Sequence, residues 1–78
     1  MPTVLRSGPY RVAFFSADYP EPPHVHVSRD EKRAKIWLQP VAVAWVRHFT
    51  RREISDILLL VTVHRSELLR EWDEYFKG

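Results

Sequence analysis

Two histidines, His24 and His26, are the side chains in this sequence best placed to do chemistry. They stand in Pro20-Glu21-Pro22-Pro23-His24-Val25-His26-Val27, where a stiff proline turn feeds a β-prone run. Side chains alternate along a strand, so residues i and i+2 project from one face. Imidazoles titrate near neutral pH, and a pair on one face suits proton transfer, substrate contact or part of a metal site. A metal needs a third ligand, and the available Asp18, Glu21, His48 and His64 have no diagnostic spacing. The same pair equally suits a structural role, bonding the proline loop or a backbone carbonyl. No cofactor is expected.

Cations form a second candidate constellation. Arg29, Lys32, Arg33 and Lys35 flank one turn, while Arg47, His48, Arg51 and Arg52 gather before and into a helix. Trp37 and Trp45 lie between the clusters. Arg29, Lys35, Arg51 and Arg52 are the expected phosphate contacts of a nucleic-acid site, with the tryptophans available for base stacking. A solvated turn and an ordinary surface explain the same residues. Nucleophilic chemistry finds no support. Ser7, Ser16, Ser28, Ser55 and Ser66 lack an elbow motif, cysteine is absent, and two glycines do not make a phosphate loop.

The elements that position these residues follow from local pattern. Thr3–Arg6 and Tyr10–Phe15 are β-prone around Ser7-Gly8-Pro9 and form a hairpin, with Tyr10, Val12 and Phe14 on the core side. Residues 16–23 contain three prolines and form a loop. His24–Arg29 and Ala34–Leu38 are strands, with Val25 and Val27 on one face and His24, His26 and Ser28 on the other. Pro40 interrupts, and Val41–Val46 is a short edge strand or an extended connection.

Thr50-Arg51-Arg52-Glu53 reads as a capping box that opens one long C-terminal helix, closed by Lys77 and Gly78. Over roughly 26 residues such a helix is about 39 Å long. Ile54, Ile57, Leu58, Val61, Leu68, Leu69, Trp72, Tyr75 and Phe76 fall in its apolar stripe, with His64 at the edge. Arg65 lies near the stripe's centre, where a charge needs a partner. Leu59, Leu60 and Val63 lie on the opposite side, covered by residues 41–49 or by a partner chain.

The expectation is one α+β domain over residues 1–78: a small antiparallel sheet of four to five strands packed against one long helix. Hydrophobic content of 45% and ten aromatic residues suffice for a core. Twelve basic and ten acidic residues leave a net charge of +2, so the surface is balanced rather than polycationic. The absence of cysteine, signal core and membrane-length apolar run points to the cytoplasm.

Met1-Pro2-Thr3, Pro22-Pro23-His24-Val25-His26-Val27, Ala34-Lys35-Ile36-Trp37-Leu38 and Glu71-Trp72-Asp73-Glu74-Tyr75-Phe76 together resemble the small bacterial domain-of-unknown-function family 4160. The resemblance implies a compact prokaryotic α+β domain, often encoded beside a second small protein as half of a toxin–antitoxin pair. It confers no reaction and no catalytic residues. Tyr19 stands where members often carry a further histidine or acid before the double proline, and Val41–Val46 is unusually apolar. Two functions are therefore expected. One is an interaction module using Leu59, Leu60 and Val63 to bind a cognate small protein or a second copy. The alternative is a small RNA-binding protein or ribonuclease toxin using His24 and His26.

Overall fold

Five strands form consecutively: β1 (Thr3–Ser7), β2 (Tyr10–Ala13), β3 (His24–Arg29), β4 (Lys32–Leu38) and β5 (Val41–Arg47). The computed structural model describes residues 3–15 and 20–77. Every strand pairs antiparallel with its sequence neighbour, so the sheet is a meander in the order β1-β2-β3-β4-β5. Gly8 (φ 57°) and Asp30 (φ 54°) supply the left-handed conformation at the first and third turns, which glycine and aspartate tolerate better than most residues. Gln39 and the cis Pro40 turn β4 into β5. Val41–Arg47 is thus a full edge strand rather than a connection.

The alternating pattern sorts the sheet into two faces. Val12, Val25, Val27, Ala34, Ile36 and Leu38 are fully buried on one face, where Ile57, Val61, Leu68 and Trp72 of the helical layer complete the core. Phe14 closes its end, with its ring edge-on to Trp72 at 5.3 Å.

The single long helix is corrected to two, α1 (Arg51–Val63) and α2 (Arg65–Lys77), which meet at His64. No glycine or proline marks the break. Thr62 Oγ1 donates to the Leu58 carbonyl at 2.7 Å and His64 Nδ1 to the Leu60 carbonyl at 2.9 Å. Side chains that take i−4 carbonyls bend helices, and the β-branched run Val61-Thr62-Val63 lowers helix propensity at the same place. Arg65 then turns its guanidinium to the sheet, with Nε donating to the Leu38 carbonyl at 2.7 Å. That bond gives one of the guanidinium's N–H donors an acceptor beside the apolar stripe. A straight helix of about 39 Å would also exceed the molecule's longest extent, 35 Å.

The N-terminus of α1 is built as the capping box requires. Thr50 Oγ1 accepts from Glu53 N at 3.2 Å, and Glu53 Oε1 accepts from Thr50 N at 2.9 Å. The proposed closure at Gly78 lies outside the described residues. No helix among them is long and apolar enough to cross a membrane.

Candidate functional site

The sheet face turned away from the helices carries the site. Its composition follows from register. Ala13 pairs with His26, His26 with Lys35, and Lys35 with Trp45, so these four side chains share a face. Trp45 is there because of a β-bulge. Ile36 pairs with Val43 but Lys35 pairs with Trp45, leaving Ala44 as the extra residue. Strict alternation would put Trp45 beside Val43 on the helix side. The bulge re-aims it.

Small side chains among large ones leave a hollow. Ala13 and Ser28 form its low part, and Arg11, Phe15, His26, Arg33 and Trp45 stand around it, enclosing about 330 Å³. The His26 ring lies 4.2 Å from Phe15 and 6.4 Å from Trp45, and Trp45 is 43% exposed. The cleft thus combines aromatic walls, two guanidinium groups, a hydroxyl and a titratable imidazole. Such a set stacks on planar rings, holds an anion and exchanges a proton.

The two histidines share a face, 5.2 Å apart, but differ in surroundings. His24 is fully buried. Its Nδ1 donates to the Pro22 carbonyl at 2.8 Å, and its ring is 5.5 Å from Trp37 and 5.1 Å from Trp72. It joins the proline loop, the sheet and α2. His26 is half-buried and lines the cleft. Asp18 lies outside the described residues, and among those described no three His, Asp or Glu side chains are grouped to hold a metal.

The four expected phosphate contacts are not brought together. Arg29 and Lys32 project toward the helices and converge on Glu53, at 3.3 Å and 3.0 Å. The Thr50 amide first, then the Lys32 ammonium, hold the Glu53 carboxyl down at about 2. This cluster ties the β3–β4 turn to the start of α1. Lys35 is on the cleft's face, paired with Glu21 and 4.7 Å over the Trp37 ring. Arg51 and Arg52 are exposed on the first turn of α1. Of the cleft's two arginines, Arg11 stands outside the cation clusters that the sequence groups. Its alternation with Val12 was the available signal, but only the pairing of β2 with β3 puts it near His26.

The expected partner surface divides as well. Leu59 and Val63 are 65% and 69% exposed, whereas Leu60 packs against the core.

The described core and the PPHxHV segment both lie within a stretch that a family model recognises. The domain of unknown function DUF4160 matches residues 10–73. The chain belongs to the DUF4160 family. The matched stretch begins at β2, so it takes in the whole cleft and most of α2 of this DUF4160 domain. No curated protein and no solved structure matches the chain.

Proposed function

We propose that this DUF4160 domain binds single-stranded RNA on the sheet face opposite its helices. The carrying observation is the cleft, in which an exposed tryptophan, a histidine and two arginines surround a hollow. Unstacked bases are recognised by stacking on aromatic and guanidinium planes beside a cationic backbone path. The role assigned is binding. Of the two histidines proposed for a ribonuclease, only His26 lines the cleft, while His24 is enclosed. One imidazole does not serve as acid and base in the same step.

Fluorescence anisotropy with labelled single-stranded RNA tests this. Trp45→Ala removes an exposed ring and is expected to weaken binding by about 1–3 kcal/mol, the worth of one stacked base, with duplex RNA bound less tightly than a single strand. Equal affinity for Trp45→Ala and the parent chain would refute the reading. Strand cleavage abolished by either His24→Ala or His26→Ala in folded protein would replace binding with catalysis.

A second reading is a protein partner, as in a toxin–antitoxin-like pair, and it rests on Leu59 and Val63. They are exposed one turn apart on the outer side of α1. Sedimentation alone and with a cognate small protein tests it, with Leu59→Ser/Val63→Ser expected to abolish association. A partner that binds the double variant unchanged would sink it.

A further inference from the structure

The five strands contain seven cations, Arg6, Arg11, Arg29, Lys32, Arg33, Lys35 and Arg47, and not one aspartate or glutamate. Among the described residues, the acids lie in turns, a bend and the helices. The sheet is therefore far more basic than the chain as a whole.

Register arranges four of these cations in a line. Arg6 pairs with Arg11, Arg11 with Ser28, Ser28 with Arg33, and Arg33 with Arg47. Directly paired residues share a face, so the row crosses all five strands on the face of the cleft. Arg11, Ser28 and Arg33 are at once the middle of the row and part of the cleft wall. With strands about 4.8 Å apart, Arg6 and Arg47 are about 19 Å from each other. The next row toward the proline loop is Ala13, His26, Lys35 and Trp45. A line of cations thus runs parallel to a line holding the aromatic rings.

The row has an energetic signature. Like charges directly opposite one another in a sheet are destabilising, and here Arg33 faces Arg47. Arg33 Nη1 donates to the Asp30 and Lys32 carbonyls at 2.6 Å and 2.8 Å, neutral acceptors that leave its charge in place. A polyanion laid along the row sets phosphates beside both arginines, and the Ser28 hydroxyl can donate to the next phosphate.

We infer that the row Arg6–Arg11–Ser28–Arg33–Arg47 is the backbone track of a single nucleic-acid strand that crosses the β-strands at right angles, with a base seated in the adjoining cleft. This rests on the RNA-binding reading and adds the direction of the strand, the length of its footprint and the residues that hold it. Arg6 and Arg47 lie outside the cleft lining, so they touch phosphate only if the strand follows the row.

The test is the salt dependence of single-stranded RNA binding by the full chain, read by anisotropy. Each arginine–phosphate contact contributes about −0.7 to the slope of log K against log salt, so the parent chain is expected near −2.8. Arg6→Gln/Arg47→Gln should bring it to about −1.4. The control Arg51→Gln/Arg52→Gln removes the same charge from α1 and should leave the slope near the parent value. Equal slopes for the row variant and the parent would overturn the track. So would equal losses in both double variants, since net charge would then explain binding. If the row variant binds as the parent does while Trp45→Ala is defective, the track fails and the cleft reading survives. Absence of RNA binding by the parent chain overturns both.

Discussion

Replacing the paired histidines one at a time separates architecture from recognition. His24 is fully buried, and its ring lies within 5.5 Å of the centroids of His26, Trp37 and Trp72. Those large rings, held by the sheet and by α2, do not collapse readily into a void. His24→Ala should therefore cost within the large-to-small range, about 3 kcal/mol. For a domain of this size that lowers Tm by about 12–24 °C, a large share of a total stability of roughly 4–12 kcal/mol. His24→Phe keeps a ring and loses the donor to the Pro22 carbonyl. Pro22 is exposed, so water can take over its carbonyl, and the cost should be about 1 kcal/mol. His26→Ala, at a half-buried position lining the cleft, should cost less than His24→Ala while weakening RNA binding. Urea unfolding followed by tryptophan fluorescence measures all three variants. Greater destabilisation by His26→Ala than by His24→Ala would refute the division of roles. Equal losses for His24→Phe and His24→Ala would show that the hydrogen bond, not the packed ring, holds the junction.

Two further outcomes follow from the charges. Glu53 has its carboxyl at about 2 in the fold against 4.5 ordinarily, so its stabilising contribution is complete above about 4.5 and is lost as pH falls toward 2; Glu53→Gln should flatten that part of an acid-unfolding curve, and an unchanged curve would count against the Thr50–Glu53–Lys32 cluster. Arg47→Gln relieves one like-charged cross-strand pair, so RNA-free protein should become more stable by a few tenths of a kcal/mol in thermal melts at low salt, with the gain shrinking as salt is added.

The residues that declare themselves through neighbours in sequence were readable from sequence. Thr50 and Glu53 are three apart and cap α1 as their types require. His24 and His26 share a face because pleating alternates, and Val41–Val46 was already recognisable as β-prone. Other features depend on long-range partners. The break at His64 comes from side chains that could equally have faced solvent, and from Arg65 reaching Leu38, 27 positions away. Strict alternation misplaces Trp45, because a bulge is a property of two strands rather than one. The arginine row is hidden further still. Its members are scattered from residue 6 to residue 47, and acids elsewhere reduce the chain's net charge to +2.

Ala44 has no counterpart on β4, and its value lies in being counted. Its methyl group matters little to the cleft, so exchanging it for another small residue should change little. Deleting it should leave both faces intact: with Trp45 directly after Val43, an unbroken ladder still holds Trp45 and Arg47 on the cleft side and Val46 on the helix side. Keeping Ala44 while the ladder runs unbroken is the change that would turn Trp45 and Arg47 toward the helices. The cleft would then lose its exposed ring and the row its last cation with no change of composition. Residue count and bulge are therefore linked in this strand. A comparison of related chains should find the tryptophan five positions after Pro40 where the bulge is present, and four where the ladder is continuous.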